Sequence, residues 1–204
     1  MEKRNETLIK LAQTGLMAAL CFVTFTFFQI KIPMPGGGAT SFHVGNAFCV
    51  LAALILGGWY GGLAGAIGLG IADMLDPVYI TGAPKTFVLK LCIGLITGLI
   101  AHRIAKINES RDKKYIFRWS MIASAAGLAF NVIADPLAGF FYNQYILGQP
   151  QQIAEVLAKW STATTFVNAV LSLIIAGVLY NALRPVLLKT GIIHPGKINT
   201  AGTV

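Results

Sequence analysis

The chain is poor in charge. Only 12% of its 204 residues are Asp, Glu, Lys or Arg, and just 8 are acidic, against about 25% charged residues in a soluble domain. With 55% hydrophobic residues, that shortage disfavours a soluble α-domain and favours a chain that lives in lipid. Cysteine is scarce too. Cys21, Cys49 and Cys92 lie singly in apolar runs, with neither paired nor metal-ligand spacing, and read as small core residues. The three scattered histidines give no zinc site, and no metal or cofactor is expected. A nucleotide motif is missing as well. Gly191-Ile-Ile-His-Pro-Gly-Lys197 begins like a phosphate-binding loop, but Ile198 stands where Ser or Thr is required and no strand precedes it. No nucleophile–base pairing is evident, and no small-residue cleavage pattern follows the first apolar run, so neither an enzyme nor a cleavable signal peptide is expected.

What the chain has in quantity is long apolar runs. A membrane helix needs about 20 mainly apolar residues. Runs over roughly 8–30, 44–56, 61–75, 85–104, 119–142 and 152–183 predict six spans, the second and third short. The segment 31–43, with Pro33, Pro35 and Gly36-Gly37-Gly38, predicts a loop, and Gly57-Gly58-Trp59-Tyr60 a tight turn. The expected fold is an all-α, six-helix membrane bundle over 1–188, with a flexible cytoplasmic tail over 189–204.

The net charge is +8, but the basic residues sit in short connectors, a pattern of membrane topology and not of a nucleic-acid face. Lys3, Arg4, Lys10, Arg103, Lys106, Arg111, Lys113, Lys114, Arg118, Arg184, Lys189 and Lys197 fall on the terminal side, and only Lys31, Lys85, Lys90 and Lys159 do not. Twelve against four places both termini in the cytoplasm. Asn5-Glu6-Thr7 and Asn108-Glu109-Ser110 match a glycosylation pattern but fall on the cytoplasmic side.

Polar residues inside apolar runs carry the functional signal. Lys90 stands within a predicted span, where a charge costs at least about 2.5–3.5 kcal/mol on insertion scales. Thr86 and Lys90 share a face of the fourth helix, Asn131 and Asp135 of the fifth, and Ser161, Thr164 or Thr165, and Asn168 of the sixth. Asp73 and Asp76 end the third helix, and folding the hairpin about residue 80 sets Asp76 level with Lys85 and Asp73 level with Lys90. Polar groups in lipid face the interior or a wet cavity, so these stripes predict one pocket, open to the outside and walled by Tyr79, Phe87, Trp160, Tyr142 and Phe42. The competing reading is a Lys90–Asp ion pair that only locks the bundle. Asp135-Pro136 also reads as a helix end. Glycines at four-residue spacing, Gly57/Gly61/Gly65, Gly58/Gly62 and Gly94/Gly98, predict close backbone packing. Gly15 and Ala19 form a similar patch that faces either the bundle or another subunit.

Six short spans, this helix-one patch, and the run Phe42-His-Val-Gly-Asn-Ala-Phe-Cys-Val-Leu-Ala-Ala-Leu-Ile-Leu-Gly57, continuing through Gly-Trp-Tyr-Gly-Gly-Leu-Ala-Gly-Ala-Ile-Gly68, resemble the substrate-binding S components of bacterial energy-coupling factor (ECF) transporters. The resemblance covers roughly residues 8–188. It implies high-affinity capture of a vitamin or vitamin precursor outside the cell membrane, then docking on a transmembrane coupling subunit driven by two ATPases. It implies a coupling-subunit contact at Gly15-Leu-Met-Ala-Ala19, and a pocket built from helices four to six and the outer loops. The expected substrate-binding residues are Lys31, His43, Asn46, Asp73, Lys85, Lys90, Asn131, Asp135, Thr164 and Asn168. A stand-alone ion-coupled carrier and a small intramembrane enzyme are the alternatives.

Overall fold

The computed structural model describes residues 2–34 and 38–193, with residues 2–5 as backbone. Helix α1 (Glu2–Phe27) leads into a two-stranded antiparallel hairpin, β1 (Gln29–Pro33) and β2 (Ala39–His43), with Lys31 opposite Ser41. Helices α2 (Gly45–Leu56), α3 (Gly58–Leu75), α4 (Ala83–Gly98), α5 (Lys113–Phe141) and α6 (Gln151–Lys189) follow. A single 3-10 turn, Ile80–Gly82, precedes α4; wider π-type turns extend α4 over Leu99–Ile104 and α5 over Tyr142–Ile146.

The segment expected as a loop is thus partly a hairpin. Ile30 and Ile32 alternate with Gln29 and Lys31, the period of a strand, and Pro33 ends it. Pro35, Gly36 and Gly37 lie outside the described residues, as does the expected tail beyond Ile193. Between α2 and α3 the chain reverses at Gly57, whose φ of 89° is open to glycine at little cost. Asp135-Pro136 does not end a helix: α5 runs through both to Phe141. The side chain of Asp112 accepts from the Lys114 N–H at 2.9 Å and caps α5, so the helix starts six residues before its apolar run.

Helix α3 is the hub. A Cβ on Gly61 would overlap the Ala53 backbone of α2, one on Gly65 the Cys49 side chain, and one on Gly68 the Ala18 carbonyl of α1. Its other face interleaves with α4, where a Cβ on Gly94 would overlap Gly62 and one on Gly98 would overlap Gly58. The glycines therefore set backbone-to-backbone contact inside the bundle. Gly15 differs: a Cβ there would meet nothing within 4 Å, and both it and Ala19 are exposed.

Polarity runs from the inside out. Leu16, Leu75, Phe166 and Val178 point outward, while Asn46, Asp73, Lys90, Asn131 and Asn168 are buried. Such a distribution suits lipid, since polar groups there turn inward. Among the described residues four helical stretches are long and apolar enough to cross a membrane, Glu6–Phe27, Ile80–Ile104, Lys113–Ile146 and Gln151–Lys189. Helix α2, at 12 residues, is about 18 Å long, and α3 is diluted by glycine.

Candidate functional site

Phe25 near the end of α1, the hairpin, the end of α3, the start of α4, the later turns of α5 and the first half of α6 close around a cavity of about 180 Å³. An adjoining hollow of about 370 Å³ shares Asp73, Tyr79, Lys85 and Thr86 with it and reaches Gly82 and Gln149. The cavity lies at the hairpin end of the bundle, and the N-terminus of α1 and the C-terminus of α6 lie at the other.

Eight of the ten expected substrate-binding residues line the cavity: His43, Asn46, Asp73, Lys85, Lys90, Asn131, Asp135 and Asn168. Lys31 and Thr164 do not. The Lys31 ammonium pairs with Asp76 and lies 5.4 Å from the Tyr79 ring centroid. Burial pushes the Asp76 carboxyl up, but the Lys31 ammonium and the Val78 N–H outweigh it and hold the group below the usual carboxylate range. Thr164 sits behind the wall, its hydroxyl 2.8 Å from that of Thr40. Of the aromatic walls expected, Tyr79 lines the cavity, while Phe87 faces a separate apolar groove with Ile67 and Met74 and Trp160 is 40% exposed.

Lys85 takes the ion-pair role expected of Lys90. Its Nζ donates to Asp135 Oδ1 at 2.8 Å, and the other carboxylate oxygen accepts from Ser161 at 2.5 Å and Thr165 at 3.2 Å. Gly139 leaves room for this pair, since a Cβ there would stand 3.4 Å from Lys85 Nζ. Asp76, expected level with Lys85, is instead claimed by Lys31. Lys90 is 8% exposed and donates to Asn131 Oδ1 at 3.4 Å. Among the described residues no carboxylate comes within 4.0 Å of its ammonium. Asp73, 7% exposed, has the Thr86 hydroxyl beside it. Asn46 is 1% exposed, and its Oδ1 has no partner among the described residues.

Asn168 does something its position in a polar stripe did not reveal. Its Nδ2 donates to the Ser41 carbonyl at 2.9 Å and its Oδ1 accepts from the His43 N–H at 3.0 Å. The amide thus imitates a neighbouring strand and fastens β2 to α6. His43 packs edge-on against Phe25 with ring centroids 4.8 Å apart. Its Nδ1 accepts from the Gly45 N–H at 3.2 Å; burial foremost, and the Lys90 ammonium, lower its pKa to about 3, so the ring is neutral. Sequence reasoning missed Phe25, Ser41, Leu69 and Asn143 among the lining residues. Ser41 belongs to a strand whose period-two pattern was hidden by neighbouring Pro and Gly, and Phe25 and Leu69 look like any other apolar helix residue.

The arrangement supplies fixed charges and hydrogen-bonding groups around one partly open cavity, as solute-binding sites do. It holds no cluster of three or more His, Cys, Asp or Glu able to grip a metal among the described residues.

A family model described as "ECF-type riboflavin transporter, S component" matches residues 5–185. Among solved structures, ThiT from Listeria monocytogenes is similar to this chain with a TM-score of 0.64 and 16% identity, over 93% of this chain and 100% of that one. At that identity the likeness is one of fold. No curated protein matches the chain in sequence.

Proposed function

The chain belongs to the family of ECF-type riboflavin transporter S components, and from that premise we propose that it is the high-affinity substrate-binding subunit of an ATP-driven importer for a vitamin or vitamin precursor. Family membership makes it a membrane transport component and not an enzyme. The observation that carries the finer reading is the cavity at one end of the bundle, where eight of the ten expected substrate-binding residues meet. Riboflavin, named in the family's description, is the first ligand to test.

In this reading all six helices cross the bacterial plasma membrane, α2 and α3 as short spans, with both termini in the cytoplasm and the cavity opening outward. The docking face is the patch of Gly15 and Ala19. It is exposed, and a Cβ at Gly15 would meet nothing within 4 Å among the described residues, so the small residue there answers no packing need among them. The partners are the ECF transmembrane coupling subunit and its two ATPases.

Uptake into cells, with the ATPase module present or deleted, tests this. Uptake is expected to vanish without the ATPases. The variant Gly15→Leu is expected to fold and bind ligand as the parent does while transport stops. Uptake that survives deletion of the ATPases and follows a proton gradient would instead make the protein a secondary carrier.

A further inference from the structure

At the end of the bundle away from the cavity, the α4–α5 connector, the first turn of α5 and the last turns of α6 flank a recess of about 530 Å³. Its walls are of two kinds. Arg111, Lys113 and Arg184 supply three cationic side chains, and Ile116, Pro185 and Leu188 an apolar side. The two acidic residues of the connector are engaged elsewhere: Glu109 lies 3.9 Å from Lys106, and Asp112 accepts from the Lys114 N–H at 2.9 Å. Among the described residues no carboxylate comes within 4.0 Å of Arg111, Lys113 or Arg184. Arg184 is half-buried and pinned, its Nη2 donating to the Ile107 carbonyl at 3.0 Å. Residues 103–118 carry six basic side chains against two acidic ones. The apolar side continues beyond the recess. Val178 and Ile174 precede Pro185 on the same stripe of α6, and both are exposed. A cationic recess that opens onto an outward apolar stripe matches a molecule with an anionic head and a hydrocarbon tail; a soluble anion has no use for the stripe. Nor is this the Gly15 patch, since α1 packs on α2 and α3 and the recess lies between α5 and α6.

We propose that the recess seats the phosphodiester head group of an anionic phospholipid, with the phosphate among Arg111, Lys113 and Arg184 and an acyl chain along Val178 and Ile174. The inference goes beyond substrate capture. It takes from the preceding section only the placement of this end at the cytoplasmic face, where the leaflet carries anionic lipids that attract basic segments.

The test is native mass spectrometry of the purified full chain in detergent, titrated with dioleoylphosphatidylglycerol or with dioleoylphosphatidylcholine, which has the same tails and a zwitterionic head. One phosphatidylglycerol is expected to bind each chain, tighter than phosphatidylcholine by roughly tenfold or more. Arg111→Gln with Lys113→Gln is expected to weaken phosphatidylglycerol by roughly 10- to 30-fold, the order of two charges near a membrane surface. Arg103→Gln with Arg118→Gln removes as much charge outside the recess and is expected to keep the preference. All four side chains are exposed, so neither double variant should lower the thermal midpoint. Equal binding of the two lipids, or equal losses in the two double variants, overturns the inference. So does displacement of phosphatidylglycerol by glycerol 3-phosphate at equal concentration, which would make the recess a site for a soluble anion. Loss of the lipid on assembly with the coupling subunit would give the recess to that subunit and overturn it too. The titrations of the purified chain need neither substrate nor ATP, so their outcome stands whether or not the vitamin reading does.

Discussion

Asp135 accepts from three side chains on two helices, Lys85 of α4 and Ser161 and Thr165 of α6. Replacing it with Asn removes the charge and leaves Lys85 beside a poor acceptor. Breaking a buried ion pair by removing one partner costs about 3–5 kcal/mol. Here the side chains are 20% and 17% exposed, so Asp135→Asn is expected to cost about 2–3 kcal/mol, read as a lower thermal midpoint in detergent. Adding Lys85→Met should recover part of that loss, and no recovery would show that the two side chains are not coupled. In the Lys31–Asp76 pair the ammonium side chain is 42% exposed, so solvent screens it and it contributes less. At this scale the sequence revealed which residues are polar in an apolar setting, but not how they pair. Folding the α3–α4 hairpin sets depth only, and depth alone offered Lys85 the wrong carboxylate. The rotation of α5, fixed by packing across α4, brings Asp135 to Lys85.

Among the elements, α3 tolerates least change. Gly94 of α4 lies against the Gly62 backbone, and Gly98 against Gly58, so no flexible side-chain end is available to move aside. Gly94→Val is expected to force the helices apart at about 3 kcal/mol, measured as loss of folded protein after detergent extraction. Gly15→Val, on the exposed face of α1, should leave that yield unchanged; equal losses in both would contradict the packing described. The four-residue glycine spacing made this legible in advance, because spacing on a helix states which residues share a face. The hairpin was not legible. Five-residue strands next to Pro and Gly look like loop, and their pairing is stabilised by Asn168, a contact remote in sequence. The start of α5 was missed for a similar reason: it depends on the Asp112 cap and not on hydropathy.

For the whole molecule, the asymmetry of basic residues predicts how the bundle sits in the membrane. In a background with Cys21, Cys49 and Cys92 changed to Ser, a cysteine at Gln152, on the cavity end, should react with a membrane-impermeant maleimide in intact cells. One at Arg111, on the terminal end, should react only after permeabilisation. The reverse pattern would turn the cavity toward the cytoplasm and end the importer reading.

The strand-like grip of Asn168 on β2 joins residues 125 and 127 positions apart. The hairpin leaves the ribosome well before its fastener. At about 5–20 residues per second, the nascent protein spends on the order of ten seconds with its hairpin unanchored. One wall of the cavity is therefore supplied by a helix made long after the hairpin, and a chain truncated before α6 would lack that wall.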